Sequence, residues 1–354
     1  MKNILVTGGA GFLGSHICTL LLQNNYKLTI VDSLINSSLG VIRKIEKLSL
    51  QNNINSSNKL KFVQADLRDY KSIKNIFEEA KVKNCPFDGV IHLAGLKSAS
   101  ESVDLPLLYW DTNLIGSINL FKIMDSYNCK TIIFSSSASI YGLSNKLPFK
   151  EENIVKPISP YGNTKSVIEK LLNDLYKSSE SRWKIVCLRY FNPIGAHPSG
   201  EIGEDPNDQP NNIFPLLVKV AQGKISKFKI YGNDWPTKDG TPLRDYIHVM
   251  DLAKAHFLAF EYLKNNGNQY LEMNIGTGKG TSVLELIKIF QEVNQVEIPY
   301  IYEDRRKGDT AVVYADNLLA SKILNWRPER SIEEMCRDGW NWQLKNPNGY
   351  GDNL

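Results

Sequence analysis

The sequence predicts an α/β fold, in which a Rossmann-like, doubly wound parallel sheet is joined to a smaller mixed α/β substrate-binding domain. Short apolar runs alternate with longer amphipathic runs up to residue 190, a pattern typical of parallel strands linked by crossover helices. A glycine-rich turn follows the first apolar run. Beyond residue 190 the alternation ends in a stretch rich in Gly, Pro, Asp and Asn. We therefore predict one domain over 1–190 and a second over 191–354.

Composition narrows the class of protein. The chain has 354 residues, of which 42% are hydrophobic and 23% charged, as in a globular protein with a sizeable core. The formal net charge is +4, and the Lys and Arg residues are scattered along the chain. No basic run therefore indicates binding to nucleic acid or to a membrane surface. The cysteines show no Cys-x-x-Cys spacing, and the histidines form no metal-ligand cluster. No signal-peptide pattern or long apolar run is present, and together these features predict a cytoplasmic protein without a metal.

The first domain is predicted to alternate strands and helices. Strands are predicted over 4–6, 27–31, 60–65, 88–92, 131–134 and 184–190. Helices are predicted from the glycine turn to residue 22, and over 38–50, 70–82, 106–127 and 160–175. The polar residues 51–58 are predicted to form a surface loop, and 195–212 to form irregular loops.

The glycine turn indicates a dinucleotide site. Gly8, Gly11 and Gly14 stand in Gly-x-x-Gly-x-x-Gly spacing between the first strand and a helix. A backbone without side chains lets a pyrophosphate approach, and the N–H groups at the helix start bind it. Asp32 ends the second strand, where an acid accepts hydrogen bonds from the adenosine ribose and would repel a 2′-phosphate. We therefore predict NAD rather than NADP; the alternatives are an ordinary glycine turn and an Asp that caps the following helix.

Other small or polar residues follow the remaining strands of the first domain. Asp66 follows the third strand and is placed to meet the adenine amino group, with a helix N-cap as the alternative. Ala94 follows the fourth strand and leaves room for a cofactor across the sheet edge, where Lys97 either reaches a ribose or phosphate or is solvated. Ser137 follows the fifth strand, where a hydroxyl can bind a substrate oxygen; turn formation is the alternative.

A tyrosine and a lysine indicate acid–base chemistry. Tyr161 and Lys165 are four residues apart at the start of a predicted helix, which places them on one face. The ammonium favours phenolate over phenol and is expected to lower the tyrosine pKa. Such a tyrosine can take a proton from an alcohol or return it. The spacing alone also fits a solvated lysine beside a half-buried tyrosine.

Together these motifs resemble the extended short-chain dehydrogenase/reductase superfamily, and more narrowly its UDP-glucose 4-epimerase family. The resemblance runs from Val6 to Gln343 and includes the specific segments 94–97, 189–193, 195–200, 203–206, 210–212, 231–234, 239–241, 244–252 and 305–309. It implies interconversion of UDP-glucose and UDP-galactose with a tightly held NAD. It also implies a homodimer in which the helices at 106–127 and 160–175 form a four-helix bundle.

The resemblance implies a role for each site residue. Tyr161 removes the proton of the sugar 4-hydroxyl, Lys165 holds the nicotinamide ribose and supports the phenolate, and Ser137 shares the hydrogen bond to O4. The cofactor positions are Gly8, Gly11, Phe12, Leu13, Asp32, Asn36, Ser37, Asp66, Leu67, Ala94, Lys97, Thr112, Ser137, Tyr161, Lys165 and Phe191. The substrate positions are Ser137, Tyr161, Asn192, Asn212, Ile213, Tyr231, Arg244, Arg306, Asp309 and Val313. At these positions the Arg244 and Arg306 guanidinium groups can form forked hydrogen bonds to a diphosphate, and Asp309 can hold a ribose. Without the resemblance, surface ion pairing would be the default interpretation of these charges.

Two positions depart from the family pattern. Thr112 stands where an asparagine is frequent at the cofactor ribose. Val313 stands where many bacterial members carry a tyrosine near the sugar 2-substituent. The smaller side chain leaves more room, and we therefore predict that UDP-GlcNAc and UDP-GalNAc are accepted as well.

Several alternative functions share this fold. Dehydratases and decarboxylases of the superfamily usually carry an acid just after the hydroxyl residue, whereas this chain has Ala138 and Ser139. A non-enzymatic NAD-binding regulator typically lacks the Tyr/Lys pair, which is present here. An epimerase for UDP-pentose or UDP-glucuronate, and a reductase that releases its cofactor, stay open at this point because a few pocket residues decide between them.

Overall fold

A seven-stranded parallel sheet forms the centre of the computed structural model. The structure describes residues 1–50, 59–143, 146–178, 182–206, 212–306 and 308–351. The loop predicted at 51–58, residues 207–211 of the predicted irregular stretch, and Lys307 lie outside the described residues.

The strands and helices are numbered here in chain order. The strands are β1 (Asn3–Thr7), β2 (Lys27–Asp32), β3 (Leu60–Gln64), β4 (Gly89–His92), β5 (Thr131–Ser137), β6 (Lys184–Tyr190), β7 (Asn192–Ile194), β8 (Phe228–Tyr231), β9 (Leu243–Arg244), β10 (Tyr246–His248), β11 (Gln269–Ile275), β12 (Thr281–Ser282), β13 (Tyr300–Glu303) and β14 (Val312–Val313). The α-helices are α1 (Phe12–Gln23), α2 (Gly40–Leu50), α3 (Tyr70–Val82), α4 (Ala99–Asp104), α5 (Pro106–Tyr109), α6 (Gly116–Ser126), α7 (Pro160–Lys177), α8 (Ile213–Ala221), α9 (Val249–Asn265), α10 (Val283–Asn294), α11 (Leu318–Leu324) and α12 (Ile332–Lys345).

The order of the strands confirms the predicted doubly wound sheet. It is β11-β6-β5-β4-β1-β2-β3, and every neighbouring pair is parallel. The chain builds outward from β1 to β3, then returns to the other side of β1 and continues through β4 to β6. The order therefore reverses between β1 and β4, and the crevice outside the carboxyl ends of these strands is where such sheets bind ligands.

The sheet is covered by helices on both faces. Successive residues of β1 point to opposite faces, so Ile4 and Val6 join one apolar core while Leu5 joins the other. Helices α1, α2 and α9 contribute to the first core, and α3, α6 and α7 to the second. Burial on both faces explains why the central strands read as continuous apolar runs.

The second half of the chain builds a further core and also returns to the sheet. Helices α8, α10 and α12 pack together around Phe214, Leu286 and Phe290. Strand β11, which the sequence analysis missed, pairs with β6 over its whole length and becomes an edge strand. The division of the chain at residue 190 stays a prediction. Helix α9 and strand β11 lie beyond this residue, and yet α9 packs on the central sheet and β11 belongs to it.

The helical stretch predicted at 106–127 contains a change of helix type. It divides into α5, a π-helical segment Trp110–Ile115, and α6, and it is preceded by the short helix α4 that was not predicted. A π-helical turn carries one residue more than an α-helical turn, and such turns often lie at functional sites. Among the described residues, no helix combines the length and apolar character needed to cross a membrane.

Candidate active site

The glycine turn lies at the switch point of the sheet, between β1 and α1. Gly8 has φ +71° and donates its N–H to the Val31 carbonyl at 2.8 Å. A Cβ on Gly8 would lie 2.7 Å from the Ala94 nitrogen, and a Cβ on Gly14 only 2.3 Å from the Gly8 oxygen. Larger residues would thus push α1 away from β1 and β4. The turn leaves the N–H groups at the start of α1, where Gly11 is followed by Phe12 and Leu13, near the sheet edge, as a pyrophosphate site requires.

Asp32 holds this turn and the loop after β2 together. Its carboxylate accepts hydrogen bonds from the Ala10 and Leu34 N–H groups, each at 3.0 Å, and from the Ser37 hydroxyl at 2.9 Å. Helix α2 begins only at Gly40, so the alternative interpretation of Asp32 as its cap is wrong. A carboxylate beside the glycine turn fits the predicted ribose contact, which Asn36 and Ser37 adjoin.

Asp66 and Leu67 follow β3 in the same row of strand ends. Asp66 forms a forked ion pair with Arg68, whose Nε lies 3.1 Å and whose terminal nitrogen lies 2.7 Å from the carboxylate. This ion pair lowers the pKa of Asp66. The N-cap of α3 is Asp69, so the interpretation of Asp66 as a helix cap is wrong. Leu67 is buried in the core beside Gly116, and its contact with adenine stays a prediction.

The loop after β4 contacts the second half of the chain. Ala94 donates its N–H to the Thr7 hydroxyl at 3.4 Å. Lys97 is not simply solvated, because its ammonium lies 2.9 Å from Oε1 of Glu204. The Asn212 amide donates to the same oxygen at 3.4 Å. Lys97, a predicted cofactor residue, and Asn212, a predicted substrate residue, therefore both contact the Glu204 carboxylate.

Asn113 is a site residue that the sequence analysis missed. It is buried in the π-helical segment next to Thr112. Its amide accepts from the Leu96 N–H at 2.8 Å, and it donates to the Leu96 carbonyl and to the Thr164 hydroxyl, both at 3.1 Å. It thereby ties the loop after β4 to helix α7. The only sequence signal was its position after Thr112, since the π-helical turn that aims its side chain is not visible in the periodicity.

The start of α7 is fitted closely against the end of β5. Ser159 caps the helix by accepting from the Gly162 N–H at 3.1 Å, and Pro160 occupies the first turn. A Cβ on Gly162 would lie 2.9 Å from the Ser139 carbonyl oxygen. A side chain at this position would therefore separate the helix from the serine turn that carries Ser137.

This packing brings Ser137, Tyr161 and Lys165 together, as predicted from the sequence. The Ser137 side chain is close enough to Tyr161 to affect the pKa of its hydroxyl, and Lys165 lies on the same face of α7 with its ammonium 5.9 Å from the Tyr161 ring centre. Ser137 also accepts from the Ser139 hydroxyl at 2.9 Å. A hydroxyl pair of this kind can hold the oxygen of an alcohol or ketone and exchange a proton with it.

The expected direction of the Tyr161 pKa was wrong. Burial raises the pKa of Tyr161, and the neighbouring Ser137 side chain opposes this only in part. Burial also lowers the pKa of Lys165 to about 8. The lysine ammonium donates to the Ser135 carbonyl at 2.7 Å and lies 5.0 Å from the Phe134 ring centre, so the protein directs this cation to the strand end rather than to the phenol oxygen.

The predicted substrate residues form a second cluster, on β9, β14 and the loop between β13 and β14. Val313 lies opposite Arg244 in the pairing of β14 with β9. The Arg244 guanidinium lies 3.8 Å from the Asp309 carboxylate and donates to the Thr310 carbonyl at 2.9 Å. The Arg306 guanidinium lies 3.7 Å from the Tyr231 ring centre. Two cations and a carboxylate thus lie within one short stretch of structure.

The remaining predicted residues line the connections between the two clusters. Phe191 is buried beside Phe149, and Asn192 begins β7, donating its N–H to the Asp245 carbonyl at 3.0 Å. Asn212 is the N-cap residue of α8, and Ile213 is the first residue of that helix, packed on the core that α8, α10 and α12 form. Among the described residues, no group of three His, Cys, Asp or Glu side chains is suited to hold a metal ion.

On a doubly wound sheet, a Ser–Tyr–Lys group beside a glycine turn is typical of the short-chain dehydrogenase/reductase class. Comparison with known proteins supports this class. The family described as GDP-mannose 4,6 dehydratase matches residues 5–339. UDP-glucose 4-epimerase 2 of Arabidopsis thaliana is 47% identical over 99% of this chain and 97% of its own length. UDP-glucose 4-epimerase of Bacillus subtilis (strain 168) is 45% identical over 98% of each chain.

Solved structures agree with these relatives. The structure of UDP-glucose 4-epimerase from Bifidobacterium longum in complex with NAD+ and UDP superposes with a TM-score of 0.91 at 42% identity, covering 98% of this chain and 100% of that one. The chain therefore belongs to the UDP-glucose 4-epimerase family.

The buried Lys165 ammonium predicts a specific dependence of stability on pH. Its pKa is about 8 in the folded protein, against about 10.4 for a lysine in water. Between these values the unfolded chain binds more protons, so the free energy of unfolding rises with pH across this window. Relative to Lys165→Met, the wild type should gain roughly 3 kcal/mol between about pH 8 and about pH 10.4, measured by denaturant unfolding.

Lys170→Met is the matched control, because Lys170 is exposed on the same helix. Its difference from the wild type should be flat across this range. A flat difference for Lys165→Met as well would contradict the burial of a charged Lys165.

Proposed function

We propose that this protein interconverts UDP-glucose and UDP-galactose by transient oxidation at C4 to a 4-keto sugar, turning of the sugar, and reduction from its opposite face. The observation that carries the proposal is the neighbouring Ser137 and Tyr161 side chains with Lys165 on the same helix face, at the carboxyl end of β5. The relatives named above as UDP-glucose 4-epimerases support the same substrate pair.

The site fits NAD, and the first domain, 1–190, is proposed to hold it. A Cβ would fill the cradle at Gly8 and Gly14, and Asp32 presents a carboxylate where the adenosine ribose would lie. We assign the predicted cofactor residues, from the glycine turn to Phe191, to this molecule. When bound, NAD supplies the group that accepts hydrogen from C4 and returns it.

Tyr161 carries the proton in this proposal. As phenolate it takes the proton of the 4-hydroxyl, and as phenol it returns one to the 4-keto oxygen. Ser137 holds the same oxygen and keeps it within reach of Tyr161. Because burial raises the pKa of Tyr161, the phenolate needs a nearby positive charge, and we propose that the Lys165 ammonium, 5.9 Å from the Tyr161 ring centre, supplies it without a direct hydrogen bond.

The second domain, 191–354, is proposed to hold the nucleotide. We assign the diphosphate to the guanidinium groups of Arg244 and Arg306, which adjoin Asp309 and Tyr231 respectively. Asp309 is assigned to orient Arg244 or to bind a ribose hydroxyl. The hexose itself is held loosely, because a sugar fixed in one orientation could not present both faces of C4.

Two features favour epimerisation over related reactions. Ala138 and Ser139 follow Ser137, so no acid stands where elimination or decarboxylation would need one. Tyr161, Lys165 and Ser137 are brought together, which a purely regulatory NAD-binding protein would not require.

The decisive experiment is conversion of UDP-galactose to UDP-glucose by the purified protein without added NAD. The wild type should reach an equilibrium mixture, and Tyr161→Phe should lose at least about a hundredfold in kcat because the proton acceptor is gone. Tyr176→Phe, on the same helix, is the control and should keep normal turnover. Near-normal activity of Tyr161→Phe would refute the role of Tyr161, and no conversion by the wild type, even with added NAD, would mean another nucleotide sugar.

A wider sugar range is proposed on the basis of Val313. This valine lies beside Arg244 in the strand pairing and leaves more room than a tyrosine. We expect comparable turnover of UDP-GalNAc and UDP-galactose, and a fall of about tenfold or more in the ratio of their kcat/KM values in Val313→Tyr. Val313→Thr, of similar size, should preserve the ratio. Absence of detectable UDP-GalNAc turnover by the wild type would exclude the wider range.

We also infer a homodimer in the cytoplasm. Val103, Leu105, Leu107 and Leu108 of the α4–α5 region expose apolar side chains, with Leu107 81% exposed, and a partner surface would bury them. Light scattering should give about twice the mass of one chain, and Leu107→Lys should weaken the association. A monomeric mass for the wild type would contradict the dimer.

The cytoplasmic location is proposed because all five cysteines are free, as is usual in a reducing compartment. Cell fractionation can test this location.

A further inference from the structure

A buried ion-pair network lies below the Tyr161–Lys165 turn of α7. Arg189 of β6 is 1% exposed. Its guanidinium donates to both carboxylate oxygens of Glu169, at 2.9 and 2.6 Å, and lies 2.7 Å from the carboxylate of Glu272 on β11. The sequence analysis assigned no role to Glu169 or Glu272, and it noted Arg189 only as part of a family segment.

The network is fixed on every side. Arg189 also donates to the Tyr141 hydroxyl at 3.2 Å and to the Glu151 carbonyl at 3.0 Å. The Tyr141 hydroxyl in turn donates to the Asn274 amide oxygen at 2.6 Å. The forked ion pair therefore cannot rotate away without breaking several buried hydrogen bonds, each of which is costly to leave unmade.

Glu169 lies on α7 one turn after Lys165. Residues four apart on a helix are neighbours on its surface, and these two are only 3% and 4% exposed, respectively. A buried ammonium needs a compensating negative charge, and the Ser135 carbonyl and Phe134 ring supply only partial ones. Glu169, one helical turn away, carries a full negative charge that acts on the Lys165 ammonium.

We propose that Glu169, held in place by Arg189, is a positioning residue that keeps the Lys165 side chain charged and directed at the catalytic end of β5. This inference rests on the proposed function for its catalytic consequence only. Glu169 touches neither substrate nor cofactor in this account and acts through Lys165.

The charges around Lys165 support this role. Burial lowers the pKa of Lys165, and the charge of Glu169 counteracts this lowering. Burial raises the pKa of Glu169, and the hydrogen bonds from Arg189 oppose the rise and favour the carboxylate. Without Arg189, Glu169 would tend to take up a proton, and the Lys165 ammonium would lose its neighbour.

Other titratable groups stand on the elements packed around Lys165. They include Tyr161 and Glu169 on α7 itself, His92 on β4, Tyr109 and Glu101 on α5 and α4, Cys187, Arg189 and Tyr190 on β6, and Tyr270 and Glu272 on β11. His92 is buried with its pKa lowered to about 3, so it is neutral and adds no charge. Glu272 contacts Arg189 but its side chain is 29% exposed, which weakens its influence on Lys165.

The first test does not depend on activity. The effect of Lys165→Met on stability is measured against pH, by denaturant unfolding, in chains that carry Glu169 and in chains with Glu169→Gln. With Glu169 present, the stability gain that depends on Lys165 begins at about pH 8. Loss of the carboxylate should lower the pH at which this gain begins by about one unit. An unchanged window would overturn the proposal, even if Glu169→Gln is less stable overall.

The second test is the pH profile of kcat for conversion of UDP-galactose. Glu169→Gln should move the alkaline limb down by about one unit, since the Lys165 ammonium is lost at lower pH. Glu272→Gln is the matched control, because it removes the other carboxylate of Arg189 and should leave the limb in place. Glu169→Asp keeps a carboxylate on a shorter side chain, so it should move the limb down by less than Glu169→Gln does.

The outcomes separate this inference from the proposed function. If the wild type converts no UDP-galactose, the function fails while the stability window still tests Glu169. If Glu169→Gln and Glu272→Gln lower activity equally without moving the limb, the network is only structural and the positioning role is refuted. If Glu169→Gln does not fold, Glu169→Asp becomes the test in both experiments: a downward shift smaller than one unit supports the role, and no shift refutes it.

Discussion

The close packing of α7 on the end of β5 is the contact on which the active site depends. Gly162 allows the first turn of the helix to approach the Ser139 carbonyl, where a Cβ would lie only 2.9 Å away. That approach joins Tyr161 to Ser137 and brings the Lys165 ammonium to the Ser135 carbonyl. The hydroxyl comes from strand β5, and the phenol and ammonium come from helix α7. Their spacing is therefore set by the packing of a helix on a strand rather than by flexible loops.

Burying Lys165 has an electrostatic cost that shapes its surroundings. The site uses a carbonyl, an aromatic ring and the carboxylate of Glu169 to compensate one ammonium. Glu169 then needs Arg189, and Arg189 needs Glu272 and Tyr141. One catalytic cation thus accounts for a chain of buried polar groups that crosses from α7 to β6 and β11, because each charge removed from water requires a partner.

Local patterns predicted the parts of the structure that depend on neighbours in sequence. Helix α3 and strand β6 have the predicted limits, and the glycine turn and the Tyr161–Lys165 spacing were informative because a short segment determines each geometry. Long-range partners were not predictable. Glu204 is 107 residues from Lys97, and β11 joins the sheet from far along the chain. The raised pKa of Tyr161 was missed for the same reason, since burial is a property of the fold and not of the motif.

The two clusters of the site meet different physical demands, and Asp245 connects them. This buried carboxylate adjoins Arg244 in sequence and accepts from the N–H groups of Thr277, Gly278 and Ala315 at 2.7, 3.0 and 3.1 Å. Thr277 and Gly278 follow β11, so the arginine is tied to the edge of the central sheet. In the proposed function, a diphosphate held by such an anchor would stay at a constant distance from Tyr161, whereas the hexose beyond it would keep the rotational freedom that exchange of its two faces requires.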